Sequence, residues 1–341
     1  MSIKDRKKDH IQLTINDKTQ YDLKSGFEEY YFDHNALPEV NIEEVSTKAD
    51  LCGRQFSMPL FLSSMTGGHA DSVSVNEVIA EVAQEMDLPF GVGSQRAMLE
   101  DPGLTETFSV ARKKAPSAFI ASNIGGVQLT EGFSDASIRS MIESVEADAV
   151  IVHLNPLQEL MQPEGDHDFR GVLNGIERLA AKIDLPLIVK ETGAGISAQV
   201  ARKLLNAGAA VIDIAGAGGT SWAKVENLRD VNPKPEHIFD NWGIPTVVCL
   251  DEISKLNWER SFQIIASGGI RNSSDIVKAL CLGSHFTASA QPLIKAIHEN
   301  GAEGLMSLLQ TWKYQIKIHL TLLGCTTVKE LSRSHLRRLG S

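Results

Sequence analysis

The sequence predicts an α/β protein, a (β/α)8 TIM barrel with an N-terminal extension, on three observations. Eight short apolar, β-branched runs recur between residues 61 and 291. Each breaks into polar or glycine residues and is followed by a stretch of helical periodicity. The units repeat about every 30 residues, the spacing of a closed barrel of roughly 250 residues.

In order, the runs are FLSSMTGG at 61–68, LPFGVGS at 88–94, AFIASNIGG at 118–126, AVIVHLN at 149–155, PLIVKETG at 186–193, AVIDIAGAGG at 210–219, QIIASGGI at 263–270 and HFTASAQ at 285–291. Continuous apolar runs mark strands buried on both faces, as a parallel sheet requires. Between them, EVIAEVAQEM at 77–86, RGVLNGIERLAAKI at 170–183 and SAQVARKLLNAG at 197–208 place apolar residues three and four apart, the period of a helix with one buried face. A ninth apolar run, IPTVVCL at 244–250, is read as a helix start, because Pro245 suits a first helical turn and the run continues into DEISKL. That reading leaves 217–243 as a long, polar, tryptophan-containing loop. A doubly wound open sheet is the competing architecture, but no GxGxxG fingerprint follows the first strand. Residues 1–50 form the extension, a candidate cover for the site, and 51–341 the barrel domain.

Composition narrows the function. With a net charge of -10, the chain lacks the excess of cations needed to neutralise a polyphosphate backbone, so nucleic acid is not an expected partner. Cys52, Cys249, Cys281 and Cys325 are scattered without CxxC spacing, which suggests neither a zinc site nor a disulfide framework and fits a reducing cytoplasm. The start MSIKDRKKDHIQLT has no apolar core of a signal peptide, and no apolar run approaches the roughly 18 residues of a membrane span.

In a barrel of this kind the C-terminal ends of the strands build the site. Those ends carry Ser64, Met65 and Thr66, then Ser94 and Arg96, Asn123, His153 with Asn155, Lys190, Ala215, Ser267 with Gly268 and Gly269, and Ser289 to Gln291. One Ser, Thr or Asn in such a place is more often a helix cap than a ligand contact. Polar groups at nearly every strand end converge on one mouth. AVIV at 149–152 is thus barrel wall, and HLNPLQE is where the wall becomes site.

The segment ASGGIRNSSDIVKALCLG at 266–283 is strand, glycine pair and helix start. Glycines let backbone approach a phosphate, and a helix N-terminus attracts its charge. In this fold, phosphate commonly sits after strands seven and eight, and the segment is assigned to a cofactor phosphate. Lys190 suits either a flavin neighbour or a Schiff-base lysine. Glu159 reads as a solvated helix-start carboxylate or as a Mg²⁺ ligand, since Mg²⁺ is often held by one or two carboxylates plus substrate phosphates. Arg6, Lys7, Lys8 and His10 form a charged run, usually a solvated tail, that folded over the mouth would supply cations for a diphosphate.

Taken together, the RKxxH start, SSMTGG, GSQR, ASNIGG, HLNPLQE, VKETG, IAGAGGTSW and ASGGIRN, in this order over nearly the whole chain, strongly resemble the type 2 isopentenyl-diphosphate isomerases. HLNPLQE and GAGGTSW are the specific blocks; SGGIR fits many FMN barrels. The resemblance implies reversible conversion of isopentenyl to dimethylallyl diphosphate in isoprenoid biosynthesis, with reduced FMN as an acid–base cofactor, Mg²⁺ on the diphosphate and NADPH as reductant. It implies a cytoplasmic homo-oligomer, a tetramer or octamer, with no nucleic-acid or membrane partner.

Carried onto this sequence, FMN would meet Ser64, Met65, Thr66, Ser94, Asn123, Lys190, Thr220, Gly268, Gly269, Ile270, Arg271, Ala290 and Gln291. Substrate would meet Arg6, Lys7, His10, Ser94, Arg96, Asn155 and Gln158, Glu159 would bind Mg²⁺, and His153 with Gln158 would be catalytic. An amide does not titrate usefully near neutrality, so Gln158 would orient substrate or relay a proton. Ala215 stands where a serine is expected and Ser289 where a glycine is expected, which touches individual FMN contacts more than the reaction.

Two competing readings make different demands. An FMN oxidoreductase acting on a 2-hydroxy acid or a dihydropyrimidine would carry a catalytic histidine on the late loops, but GGIRNSS and ASAQP hold none, and His285 begins strand eight at the opposite barrel face. A silent phosphate-ligand binder would need GGIR and little else. The apolar C-terminal segment 311–325 would face either the barrel or another subunit.

Overall fold

The computed structural model describes residues 13–15, 17–69, 72–130, 133–229 and 237–340. Eight parallel strands close into a barrel: β1 (Leu60–Leu62), β2 (Phe90–Gly91), β3 (Ile120–Gly125), β4 (Ala149–Leu154), β5 (Leu187–Glu191), β6 (Val211–Asp213), β7 (Gln263–Ala266) and β8 (Phe286–Ser289). Closure comes from β8 on β1, with Thr287 opposite Leu60 and Ser289 opposite Leu62, so no barrel edge is left to pair with another chain. All eight expected strands are present. In β4, Ala149 to Val152 are buried and His153 and Leu154 half-buried, the point at which wall gives way to mouth.

The N-terminal end of the barrel is plugged by a hairpin of Ala49–Leu51 and Arg54–Phe56. Its turn is Cys52 and Gly53, both left-handed (φ 50 and 78), the pairing whose twist matches the strands it joins. Phe56 is buried edge-on against Phe119 and Phe286. Gln263 of β7 donates to the Asp50 carbonyl and accepts from the Cys52 N–H, at 2.9 and 2.8 Å. Nearby, Arg112 spends its guanidinium on the carbonyls of Ala115, Pro116, Ala118, Val145 and Glu146 and on the Asp148 carboxylate, stitching the loops that lead into β3 and β4.

At the opposite end the extension lies on the loop after β6. The Tyr21 N–H donates to the Gly219 carbonyl, Ser221 to that of Thr19, and Val247 to that of Ser25, at 2.8–3.0 Å. Tyr30–Phe32 then pairs antiparallel with Leu336–Arg338, tying the two ends of the chain together.

The run at 244–250 enters the helix Thr246–Ile253, with Pro245 immediately before it, as the sequence suggests. The stretch 217–243 departs from expectation: it contains the helix Trp222–Arg229 and a short turn of helix at His237–Phe239. Periodicity hides the first because its buried face includes Glu226 and Asn227 beside Ala223 and Val225. Asn227 donates to Asp240 at 2.7 Å and Glu226 pairs with Arg229, so polar contacts hold a face that apolar spacing would otherwise reveal. The long C-terminal helix Gln291–Leu322, broken at Asn300 and Gly301, buries Trp312, Ile316 and Leu320 and packs on the helices Ser72–Met86 and Ser273–Cys281. Its apolar face therefore serves the barrel. Among the described residues no helix is long and apolar enough to cross a membrane.

Candidate active site

The C-terminal strand ends surround one cavity of about 310 Å³, within the range of small-molecule sites. Every candidate named from the sequence that falls in the described chain lines it: Ser64 to Thr66, Ser94, Arg96, Asn123, His153, Asn155, Gln158, Glu159, Lys190, Thr220, Gly268 to Arg271, Ala290 and Gln291. Arg6, Lys7 and His10 lie outside the described residues. From the extension, Thr14 and Gln20 also reach the wall, and Gln20 donates to Thr220 and accepts from Arg271, at 3.1 and 3.0 Å.

On the β3–β4 side, His153 Nδ1 is 2.9 Å from Asn123 Oδ1. Two residues past the histidine, Asn155 donates to Gln158 Oε1 and to Glu159 Oε1, at 3.2 and 2.9 Å. Gln158 in turn donates to Glu226 at 3.3 Å, and Glu226 is buried against Arg229 at 2.7 Å. The second Glu159 oxygen accepts from the Asp166 N–H at 2.9 Å, and Asp166 also pairs with Arg96 at 3.3 Å. Spacing explains the cluster: Pro156 opens a helix immediately after β4, so residues 155, 158 and 159 fall on one side of its first turn.

On the β5–β6 side, the Lys190 ammonium donates to the Glu191 carbonyl at 2.8 Å and lies 3.8 Å from the Asp213 carboxylate. Burial raises Asp213, while Lys190 and the Ser267 hydroxyl pull it back down. Burial also pushes Glu191 up to about 7, against three backbone N–H groups, of Gly193, Ala194 and Gly195, that donate to its Oε2. The lysine is therefore one member of a buried charge group that also shapes the loop after β5.

After β6 and β7 the backbone is packed without room for side chains. A Cβ on Gly268, whose φ is +93, would lie 2.0 Å from the Gly216 carbonyl oxygen. A Cβ on Gly219 would lie 2.8 Å from the Gly269 nitrogen. Ser289 donates to the Ile270 carbonyl at 2.8 Å and so braces this turn from β8. Ala215, unusual as a non-glycine at φ 35, is buried.

Comparison with known proteins fits this geometry. A family model described as FMN-dependent dehydrogenase matches residues 122–338. The isopentenyl-diphosphate delta-isomerase of Chlorobium limicola is 43% identical over 97% of this chain and 95% of its own length. That of Aeropyrum pernix is 39% identical over 96% and 88%. The chain belongs to the FMN-dependent isopentenyl-diphosphate delta-isomerase family. Fold similarity extends further: the flavin-binding domain of baker's yeast flavocytochrome b2 has a TM-score of 0.71 at 18% identity, covering 94% of this chain and 79% of that one. A mandelate oxidase variant with benzaldehyde has a TM-score of 0.66 at 17% identity, covering 97% and 93%. These two carry the fold alone.

The residues present fit the family's FMN. Ser64 lines the cavity, and its Oγ is buried without a hydrogen-bond partner among the described residues, a group that is costly unless a ligand completes it. Gly216, Gly219, Gly268 and Gly269 bring backbone to the cavity wall, and they pack so closely on neighbouring chain that a Cβ at any of them would clash. The last two lead into the helix Ser273–Cys281, whose N-terminus is capped by Asn272.

Several residues of this isomerase-family site escape a strand-end reading. Gln95, Glu191, Asp213 and Glu226 are buried behind the lining. Asp213 and Glu191 carry a signal, a carboxylate inside or closing an apolar run, which is unfavourable unless paired. Glu226 carries none, because its helix mixes polar and apolar residues without an apolar stripe to mark the buried face.

Proposed function

We propose that the protein interconverts isopentenyl and dimethylallyl diphosphates without net redox change, in isoprenoid biosynthesis, as a cytoplasmic homo-oligomer. The observation that carries the reading, with the family, is the Asn155–Gln158–Glu226 chain set at the cavity wall beside His153. Moving a carbon–carbon double bond needs a proton added at one carbon and another removed elsewhere. Reduced FMN, bound through the glycine cradle, Ser64 to Thr66, Ser94, Asn123, Lys190, Thr220, Arg271, Ala290 and Gln291, supplies an electron-rich ring able to exchange a proton.

The chain's own residues do the rest. Gln158 orients the substrate with its amide and couples it to Glu226, the titratable group one hydrogen bond behind. Asn155 holds the Gln158 oxygen, so the amide nitrogen faces Glu226. Lys190, balanced by Asp213, presents positive charge on the β5 side. Glu159, fixed by Asn155 and the Asp166 N–H, keeps a lone pair on each oxygen for Mg²⁺. No group of three metal-ligating side chains surrounds it among the described residues, so phosphate oxygens and water would complete the shell. Arg96, Arg6, Lys7 and His10 would meet the diphosphate, and NADPH would reduce the flavin.

The 2-hydroxy-acid reading calls for a histidine on the loops after β7 and β8, whereas His285 lies near the N-terminal ends of those strands, where its Nδ1 accepts from the Ile264 N–H at 3.1 Å. The deciding experiment is an anaerobic assay with chemically reduced FMN, Mg²⁺ and isopentenyl diphosphate, omitting NADPH. Many molecules of dimethylallyl diphosphate per flavin establish the redox-neutral isomerase. Bound FMN with no product overturns it.

A further inference from the structure

Gln95 follows Ser94 at the exit of β2 and has no exposed surface. We infer that Gln95 is a positioning residue: it fixes the backbone of Asn123, whose side-chain amide, oriented by the Val92 carbonyl, holds His153 with its proton on Nδ1, so that only Nε2 changes its protonation. The inference deepens the isomerase reading and rests on it only for the consequence in turnover.

Hydrogen-bond polarity fixes both amides. An amide can be reversed end for end without changing its shape, so its orientation has to be settled by partners that can act in only one sense. Both amides meet such partners. Gln95 Oε1 accepts from the backbone N–H of Asn123 at 2.9 Å, which can only donate. Its Nε2 donates to the Met141 carbonyl at 3.0 Å, which can only accept, and lies 2.9 Å from the Ser144 hydroxyl. Gln95 N–H donates to the Asn123 carbonyl at 2.8 Å, so the two residues are joined through both backbone and side chain.

Asn123 is pinned in the same way. Its Nδ2 donates to the Val92 carbonyl at 3.1 Å. Reversing this amide would set oxygen against oxygen in a buried place, so Oδ1 must face His153. An amide oxygen cannot donate. The 2.9 Å contact to Nδ1 therefore requires a proton on Nδ1, in the neutral and the cationic ring alike. Neutral His153 can then only accept at Nε2, and it becomes a donor there only as the imidazolium. The Val92 carbonyl, just past β2, thus decides through the Asn123 amide the proton position on a cavity residue of β4, while the Asn123 N–H and the Met141 carbonyl of the helix Asp135–Ser144 fix the Gln95 side chain that holds Asn123.

The test uses the full-length, FMN-loaded protein with nitrogen-15 histidine, the His153 ring signals being identified by their loss in His153→Asn. Wild type should show Nδ1 protonated over the whole pH range and only Nε2 titrating. Gln95→Leu removes the side-chain hold on the Asn123 backbone and should weaken the Asn123–His153 bond, giving a mixture of tautomers, with kcat lower by about tenfold or more, the usual cost of losing a supporting hydrogen-bond partner, and KM changed much less. Gln95→Glu provides a second reading should Gln95→Leu fold poorly. Its protonated acid can both accept from Asn123 and donate to Met141, so activity should survive at low pH and fall as that acid ionises, a limb absent from wild type. Protonation at Nε2 alone in neutral wild type, an unchanged tautomer in Gln95→Leu, or a Gln95→Glu profile identical to wild type would each overturn the proposal. Ring-nitrogen spectra need no turnover, so failure of the isomerase assay and failure of this assignment are separate results.

Discussion

The Gln158 amide donates to the Glu226 carboxylate at 3.3 Å, across 68 residues of sequence, and so ties a cavity residue that cannot titrate to a buried one that can. If this pair moves a proton, Glu226→Gln should lower kcat by about 100-fold, the low end of general acid–base contributions, with the FMN-to-protein ratio unchanged. The variant also leaves Arg229 without its buried counter-charge, so its urea midpoint should fall. A kcat within twofold of wild type would remove Glu226 from the reaction.

Ser64 Oγ is buried with no hydrogen-bond partner among the described residues. Replacing it with alanine should therefore act oppositely on the two forms. Apoprotein stability should be equal to wild type or higher by about 1 kcal/mol, because an unsatisfied polar atom is gone. The Kd for FMN should rise by about tenfold, the loss of one hydrogen bond. Fluorescence titration with FMN and thermal unfolding of the apoprotein read the two effects separately.

Glu159 uses one oxygen for Asn155 and the other for the Asp166 N–H. Glu159→Gln keeps the shape but sets an NH2 group against one of these donors and removes the charge that would hold Mg²⁺. The Mg²⁺ concentration for half-maximal activity should rise at least about tenfold, in line with the loss of a ligand or its support. Superimposable metal titrations would take Glu159 out of the metal site.

Burial moves Glu191 from 4.5 to about 7, so between those pH values the folded protein holds a proton that the unfolded chain has released. That uptake stabilises the fold as pH falls from about 7 towards 4.5, and the gain is lost as pH rises through about 7. Full ionisation would cost about 3 kcal/mol by this shift. Glu191→Gln still offers an oxygen to Gly193, Ala194 and Gly195 and has no proton to lose. Its Tm relative to wild type should increase steadily across this window, measured by circular dichroism.

Arg112 satisfies five backbone carbonyls and the Asp148 carboxylate from one side chain. Lysine has three donors on a single atom and cannot reproduce that fan. Arg112→Lys should lose about 3 kcal/mol of unfolding free energy in urea, the cost of leaving buried acceptors unpaired, with little change in kcat per folded molecule because the residue lies away from the mouth.

Much of the mouth is legible in the sequence because the signals that mark it are local. The period of AVIV, the break at His153 and the proline-led helix that brings Asn155, Gln158 and Glu159 together are all written within a dozen consecutive residues. The same holds for the glycine pair before Arg271 and the helix that follows. Residues behind the lining were less legible for the converse reason. Gln95 acquires a role only beside Asn123 and Met141, and Glu226 only beside Gln158, and nothing in the immediate neighbourhood of either residue distinguishes it from a surface amide or carboxylate. The helix Trp222–Arg229 is hidden from a reading by period because Glu226 and Asn227 share its buried face with Ala223 and Val225.

By itself, the sequence determined the order of strand and helix, the barrel class and the set of residues at the strand ends, because hydrophobic period and turn chemistry act between near neighbours. Only the tertiary structure decided which of those residues face one another. Closing β8 on β1 brings residues from every part of the barrel to one cavity, and Gln20 reaches Thr220 and Arg271 across 200 and 251 positions. Hydrogen-bond polarity and burial at such separations depend on where the chain is held in space, and they set the proton positions and charges that the reaction would use.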